Sequence, residues 1–248
     1  YRKEATGSLD DQLLRQLNDR LQYLRKLQQR KTEICSAIAA QDKLTPELEQ
    51  QIQAAKTLIE VEDLYLPYRP KRKTRASAAI ARGLEPLARI LAEQKWETVP
   101  EEAAKPFVQP EQDVPDGAAA LQGAMDILAE EMANDAALRK QMRQFTMLSG
   151  TLSARAVDEE AETPYRNYYD FQAPIEKLQG HRILAINRGE QENALKVTLS
   201  LPEGKGAAVV VRKYVHNDSP AAKLVQAAAE LPGKVRRKEQ GNGKFARI

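Results

Sequence analysis

Six positively charged side chains lie within residues 66–84, and this stretch contains no acidic residue. Pro67 and Pro70 stiffen the segment, and a stiff segment can hold several cations toward one side at little cost in ordering entropy. Such a cluster suits a phosphate backbone, because each neutralised phosphate releases counterions. The candidate phosphate-binding residues are Arg69, Lys71, Arg72, Lys73, Arg75 and Arg82.

The same cations also fit a solvated loop, in which they would pair with acids such as Glu60, Glu62 and Asp63. Residues 93–116 are a second possible partner, since they hold seven acids and two bases in a chain of net charge +3. Spacing alone does not separate phosphate binding from pairing within the chain. Base-specific recognition is not indicated, because it needs a presented helix or ribbon.

Residue types that catalyse reactions or hold metals are scarce and scattered. His181 and His216 are the only histidines, and no HExxH, CxxC, GxxxxGK[ST] or GxGxxG pattern occurs. The GKG at residues 204–206 lies between two predicted strands, which favours a hairpin turn over a phosphate cradle. We predict no catalytic centre, no metal site and no cofactor, and hence a chain that is not an enzyme.

The composition indicates a helical protein of the reducing cytosol. The chain has 248 residues and one cysteine, Cys35, which we expect to be a core thiol. No apolar run approaches the roughly 20 residues of a membrane span, and no signal-peptide pattern is present. We predict a soluble cytoplasmic protein, and the first residue, Tyr1, suggests a fragment.

The first 66 residues predict a long helical hairpin. Ser8 is a good N-cap for a helix of about 30 residues. Thr45 and Pro46 open a second helix that we expect to run to Pro67. The residues expected on the buried faces are Leu14, Leu17, Leu21, Leu24, Leu27, Ile34 and Ile38 in the first helix, and Leu48, Ile52, Ala55 and Ile59 in the second.

Residues 67–150 predict a helical subdomain. Two short helices, at 76–82 and 84–94, meet at Gly83 in a helix-turn-helix-like outline. Residues 97–115 are predicted to form a surface loop, and we expect Asp116 and Asp135 to be the N-caps of two further helices. The tyrosines of TPYRNYYDF could pack in a core or stack on bases, and we expect packing.

Residues 151–230 predict a mixed segment of helix and strand. We expect a strand at 151–157, and two strands, ALKVTLSL and AAVVVRKYV, around the turn PEGKG. A helix follows at 220–230, and residues 231–248 are expected to be a mobile basic tail of uncertain origin. The predicted fold is mainly α, with a long helical hairpin, helix-turn-helix-like short helices and a small β-hairpin near the C-terminus.

Three stretches resemble the Tex family of bacterial transcription accessory proteins. EDLYLPYRPKRKTRASAAIARGLEPLA at 62–88 is similar to a signature of that family. YRKEATGSLDDQLLRQLNDRLQYLRKL at 1–27 and HRILAINRGEQENALKVTLSL at 181–201 are similar to two others, with Gly180 where the family usually has Ser. The resemblance covers about residues 1–230; the last 18 residues depart from it.

The resemblance implies that this chain is the N-terminal, helical part of a longer protein. Family members continue into a nuclease-like fold, helix-hairpin-helix units and an OB-fold RNA-binding domain, and bind nucleic acid without strong sequence preference. We therefore expect a scaffold with a secondary, non-specific contact to RNA or DNA, which works with the transcription machinery. The alternative is a protein-interaction scaffold that makes no nucleic-acid contact in these residues.

Overall fold

The computed structural model describes residues 10–69 and 74–239, and the last nine of these by their backbone alone. The chain divides into two compact units, residues 1–70 and 71–248. The described residues are mainly helical, with one three-stranded sheet, which confirms the predicted fold class. The predicted finer division at residues 66, 150 and 230 stays a prediction. Within the described ranges, no helix is both long and apolar enough to span a membrane.

The first unit packs a long helix against two short ones. These are α1 (Asp11–Ala39), α2 (Pro46–Ala54) and α3 (Leu58–Tyr65), followed by a 3-10 turn (Leu66–Tyr68). Thr45 caps α2 as predicted, since its side chain accepts a hydrogen bond from the Leu48 amide at 3.2 Å. The buried core consists of Leu27, Ile34, Ile38, Ile52, Ala55 and Val61.

Two predictions for this unit are wrong. The second helix is interrupted, because Ala55 is extended and Thr57 caps a new helix by accepting from the Glu60 amide. The apolar face of α1 is only half buried: Leu17, Leu21 and Leu24 are exposed, whereas the face from Leu27 onward is covered. Ser8 lies outside the described residues.

The helical core of the second unit surrounds one long helix. The helices are α4 (Arg75–Ala81), α5 (Glu85–Ala92), α6 (Pro100–Ala104), α7 (Gly117–Asn134) and α8 (Ala136–Ser149). Asp116 and Asp135 cap α7 and α8, as predicted. Gly123 of α7 allows close approach, since a Cβ there would lie 2.4 Å from Leu84 Cδ1 and 3.3 Å from Ala79 Cβ. The corner between α4 and α5 therefore packs tightly on α7.

A small antiparallel sheet with one helix on it follows. β1 (Thr151–Ala156) is central, between β2 (Asp170–Pro174) and β3 (Leu195–Ser200), and α9 (Gly180–Gln191) precedes β3. Leu152 of β1 pairs with Ala173 and Leu199 on either side. The core includes Tyr165, which is 7% exposed, so the predicted packing of this tyrosine is confirmed.

The predicted hairpin after β3 is wrong. Residues 205–214 form a helix, α10 (Lys205–Tyr214), and β3 pairs with β1 instead. Gly204, at φ 71°, precedes this helix, and Val210 is buried in the helical core. Strand propensity of β-branched residues reflects how they pack, and here packing against helices outweighs it.

The last helix is longer than predicted. α11 runs from Pro220 to Glu239, and Ser219 caps it through a hydrogen bond from the Ala222 amide to its Oγ. The predicted end of this helix at residue 230 is therefore wrong, and the mobile basic tail at 231–248 stays a prediction. Residues 240–248 lie outside the described residues.

Candidate nucleic-acid interface

Within residues 66–84, which we call the basic segment, Thr74 is anchored to α7. Its Oγ1 accepts from the Ser77 amide at 3.0 Å, and Ser77 Oγ accepts from the Thr74 amide at 2.8 Å, so the two residues form a reciprocal cap on α4. Thr74 Oγ1 also donates to Glu130 Oε2 on α7 at 2.7 Å. The backbone that leads into Arg75 is thus held against α7.

Arg75, the first residue of α4, is largely available to a ligand. Its side chain is 67% exposed, and its Nε lies 3.9 Å from Asp126 Oδ1, which is too far for a hydrogen bond. A cation at a helix N-terminus opposes the helix dipole, where an anion would be favoured. The position therefore costs local stability, and a bound phosphate would offset that cost.

Arg82, at the other end of α4, already has a partner. Its Nη2 donates to Oδ2 of Asp113, which lies in the acidic segment 93–116. Asp113 itself adopts a left-handed conformation, with φ 62°, after a 3-10 turn (Pro110–Gln112). This contact supports the idea that acids of the chain neutralise part of the basic segment.

Arg69 belongs to the first unit and is exposed. Its amide donates to the Tyr65 carbonyl at 3.1 Å, which fixes the backbone at the end of the 3-10 turn. Within the described residues, its side chain has no carboxylate within 4 Å. Glu62, which the loop hypothesis offered as a partner, instead accepts from Arg30 Nε at 2.6 Å, and this hydrogen bond raises the pKa of Arg30.

The six predicted residues thus differ in whether the structure describes them and in which carboxylates lie near them. Lys71, Arg72 and Lys73 lie outside the described residues. Arg75 and Arg82 share one helix of about 10 Å, at roughly 1.5 Å of rise per residue. Three carboxylates lie beside these residues in the structure: Asp113 pairs with Arg82, Asp126 lies near Arg75, and Glu130 accepts from Thr74. Only Asp113 lay in the acidic segment identified from composition.

A second charged cluster, at Asp135, is structural. Asp135 caps α8 through hydrogen bonds from the Ala137 and Leu138 amides, and its Oδ2 also accepts from Lys213 Nζ and Tyr214 OH. Burial raises the pKa of Asp135, but the hydrogen bonds from Lys213, Tyr214 and Leu138 outweigh it and leave that pKa lowered. The same cluster raises the pKa of Tyr214, through burial and the hydrogen bond to Asp135. This cluster joins α10 to the start of α8.

A metal-binding cluster is not found in residues 10–69 and 74–239. Across those ranges, no group of three or more His, Cys, Asp or Glu side chains is placed to hold a metal ion. Burial raises the pKa of the Cys35 thiol, which is partly buried against the first unit's core. That the chain is not an enzyme stays a prediction.

Comparison with known proteins identifies two family domains. The chain matches the Tex-like protein N-terminal domain over residues 1–39 and the Tex central region-like domain over residues 95–243. The signature stretch at 62–88 lies between these two ranges.

Three relatives show the extent of the similarity. "Protein tex" of Bordetella pertussis is 46% identical over 204 residues, which cover 81% of this chain and 26% of the relative. "Transcriptional accessory protein Tex" of Neisseria gonorrhoeae is 42% identical over 201 residues, 80% of this chain and 26% of the relative. "S1 RNA-binding domain-containing protein 1" of Pongo abelii is 30% identical over 217 residues, 82% of this chain and 21% of the relative.

The chain therefore spans about a quarter of the length of the two bacterial relatives named above. The domain matches account for most of its residues, and the similarity continues through the basic segment between them. The sequence resemblance at 62–88 is thereby confirmed: this protein belongs to the Tex family.

Proposed function

We propose that the chain is the N-terminal helical part of a nucleic-acid-binding transcription accessory protein. Membership of the Tex family supports this role, as does the name of the Neisseria relative, a transcriptional accessory protein. The Pongo relative is named for an S1 RNA-binding domain, which is consistent with nucleic acid as the partner. We expect a cytoplasmic protein that works with the transcription machinery and has no catalytic activity in these residues.

Within that protein, we propose two tasks for these residues. The packed helices form a scaffold for the rest of the protein, and the basic segment makes a secondary contact with phosphates of RNA or DNA. The contact residues are Arg69, Lys71, Arg72, Lys73, Arg75 and Arg82. Since these residues would bind only the phosphates of the nucleic acid, the contact carries no sequence information.

The observation that carries this proposal is the availability of Arg69 and Arg75. Arg69 is exposed and has no carboxylate within 4 Å among the described residues, and Arg75 is 67% exposed with only a 3.9 Å contact. Arginine binds phosphate in a planar, two-pronged geometry, which needs free donors. Both side chains meet that requirement.

The test is a salt titration of binding after substitution of Lys71, Arg72 and Lys73 by Ala. For duplex DNA, the slope of log K against log salt is about 0.9 per neutralised phosphate, so loss of three contacts lowers it by about 2.7. Weaker binding at low salt together with a flatter slope supports the contact. An unchanged slope removes these residues from the interface.

One observation favours the second candidate, a scaffold without nucleic-acid contact. Arg82 pairs with Asp113, an acid of the segment that the rival hypothesis named as partner. If Arg82 only pairs with Asp113, Arg82→Gln lowers stability slightly and leaves nucleic-acid binding unchanged. If Arg82 also contacts phosphate, the same substitution weakens binding at low salt.

A further inference from the structure

The first unit contains a groove that the proposed contact does not use. It lies between α1 and the segment that joins α2 to α3, and its volume is about 640 Å³. Clefts that hold small ligands have volumes of roughly 300–1,000 Å³. The groove is therefore large enough for a ligand of nucleotide size.

The lining of this groove is strongly basic. Four of the residues that line it are Arg20, Arg25, Lys31 and Lys56, and none is acidic. Among the described residues, none of these four side-chain cations forms an ion pair, although a carboxylate lies close by, since Glu60 Oε2 accepts a hydrogen bond from the Lys56 backbone amide at 2.8 Å. Arg30, on the same helix, contrasts with them, because it pairs with Glu33 at 3.0 Å and Glu62 at 2.6 Å. The groove thus concentrates four side-chain cations that form no ion pair with the described carboxylates.

Lys31 makes the charge of the groove unusual. It is only 7% exposed, which is rare for a lysine. Its ammonium donates one hydrogen bond, to the Gln53 carbonyl at 2.7 Å, whereas an ammonium has three donors. A buried cation without an anion is costly, so an anionic ligand at this point would be stabilising.

Apolar surface lies between these cations. Leu24, which is 44% exposed, and Leu27 also line the groove. The guanidinium of Arg20, a planar cation, lies 5.3 Å from the centre of the Tyr23 ring, at the edge of the groove. Unpaired bases pack on such apolar and planar groups, whereas a duplex presents mainly sugars and phosphates.

We propose that this groove binds single-stranded nucleic acid, with phosphates held by the four cations and a base against Leu24. The site shares no residue with the contact proposed at residues 69–82. The first unit would then bind single-stranded nucleic acid independently of residues 69–82. Its preference for single strands follows from the apolar surface, and its lack of sequence preference follows because phosphate contacts carry no sequence information.

The test is fluorescence anisotropy of the 248-residue chain with labelled oligo(dT) over a range of salt concentrations. A groove variant carries Arg20→Gln, Arg25→Gln and Lys56→Gln. A control variant carries Arg15→Gln, Lys26→Gln and Lys43→Gln, which removes three exposed cations from the same unit without touching the groove lining. Melting curves followed by circular dichroism verify that both variants fold.

We expect the groove variant to bind more weakly and its salt slope to fall by about 2, at about 0.7 per phosphate of a single strand. The control variant should keep the slope of the unmodified chain. Oligonucleotides with 4-thiouridine should also cross-link to peptides that contain residues 20–31 or 53–56. Equal losses in both variants would overturn the site, as would replacement of the oligonucleotide by a glutamate-rich peptide.

The Lys71, Arg72 and Lys73 triple Ala variant, measured in the same series, separates this site from the proposed function. If that variant loses binding while the groove variant keeps it, the groove assignment fails and the contact at residues 69–82 stands. If the reverse holds, the groove is the binding site and the basic segment is not.

Discussion

Arg82 at the end of α4 donates a hydrogen bond to the carboxylate of Asp113, which lies 31 residues further along the chain. The Arg82 side chain is 36% exposed and that of Asp113 is 83% exposed. An ion pair so exposed contributes roughly 0–1 kcal/mol. It can therefore break when a phosphate competes for the arginine. The pair therefore adds little to stability, and in the proposed contact Asp113 would compete with phosphate for Arg82.

Asp113→Asn should strengthen nucleic-acid binding at low salt. Removal of the carboxylate frees Arg82, and an exposed pair worth at most about 1 kcal/mol limits the gain to about fivefold. Asn tolerates the left-handed backbone at this position, so the free energy of unfolding should change by less than about 0.5 kcal/mol. Anisotropy titrations of the variant and the unmodified chain measure the effect. Unchanged affinity would mean that Arg82 does not contact the nucleic acid.

Gly123→Ala should destabilise the second unit. The added Cβ would meet Leu84 Cδ1 at 2.4 Å, and Leu84 is buried, at 1% exposed. Overpacking costs about 1–3 kcal/mol, and the better helix propensity of Ala offsets about 1 kcal/mol of that cost. Gly180→Ala in α9 is the matched control, since nothing lies within 4 Å of its added Cβ. Urea unfolding measures both variants, and equal stabilities would contradict the tight packing of α5 on α7.

Gln94→Ala should also lower stability. Gln94 is 2% exposed; its side chain donates to the Tyr214 carbonyl at 2.6 Å and accepts from the His216 amide at 2.9 Å. The substitution leaves both backbone groups without this partner, at a cost of about 1–3 kcal/mol. Gln112→Ala, at an exposed position, is the control and should change little. A Gln94→Ala chain as stable as the control would show that water replaces these bonds.

Asp135 should make the second unit acid-sensitive. Its pKa in the folded chain is lowered from 3.8, because hydrogen bonds from Lys213, Tyr214 and Leu138 outweigh the opposing effect of burial. A lowered carboxyl pKa contributes stability that is fully present above the unfolded value and is lost as pH falls toward the folded value. Asp135→Asn should thus be less stable at neutral pH and should lose less stability below pH 3.8. Urea unfolding as a function of pH tests this, and identical profiles for the two chains would refute it.

Three helix starts were predictable because capping is local. Thr45, Asp116 and Asp135 each accept a hydrogen bond from an amide two or three residues ahead, and that requirement is visible in the sequence. The state of residues 205–214 was not predictable in this way. Their β-branched side chains favour a strand, and these residues form a helix because Val210 packs in the helical core.

The cations of the candidate interface were predictable, and so was the acidic segment that contains Asp113, but the individual pairs were not. Charge segregation located the six basic residues without any knowledge of the fold. The contacts of Arg75 with Asp126 and of Arg82 with Asp113 join residues far apart in sequence. The buried state of Lys31 depends likewise on the packing of α2 and α3 against α1. Sequence spacing carries no signal for such contacts.

The measurement that tests the central claim most directly is fluorescence anisotropy of the unmodified chain with single-stranded RNA, single-stranded DNA and duplex DNA. Each titration runs from low to physiological salt. We predict binding at low salt that weakens steeply as salt rises and does not depend on base sequence. Absence of binding to all three at low salt would contradict a phosphate contact in these residues and leave the chain as a scaffold alone.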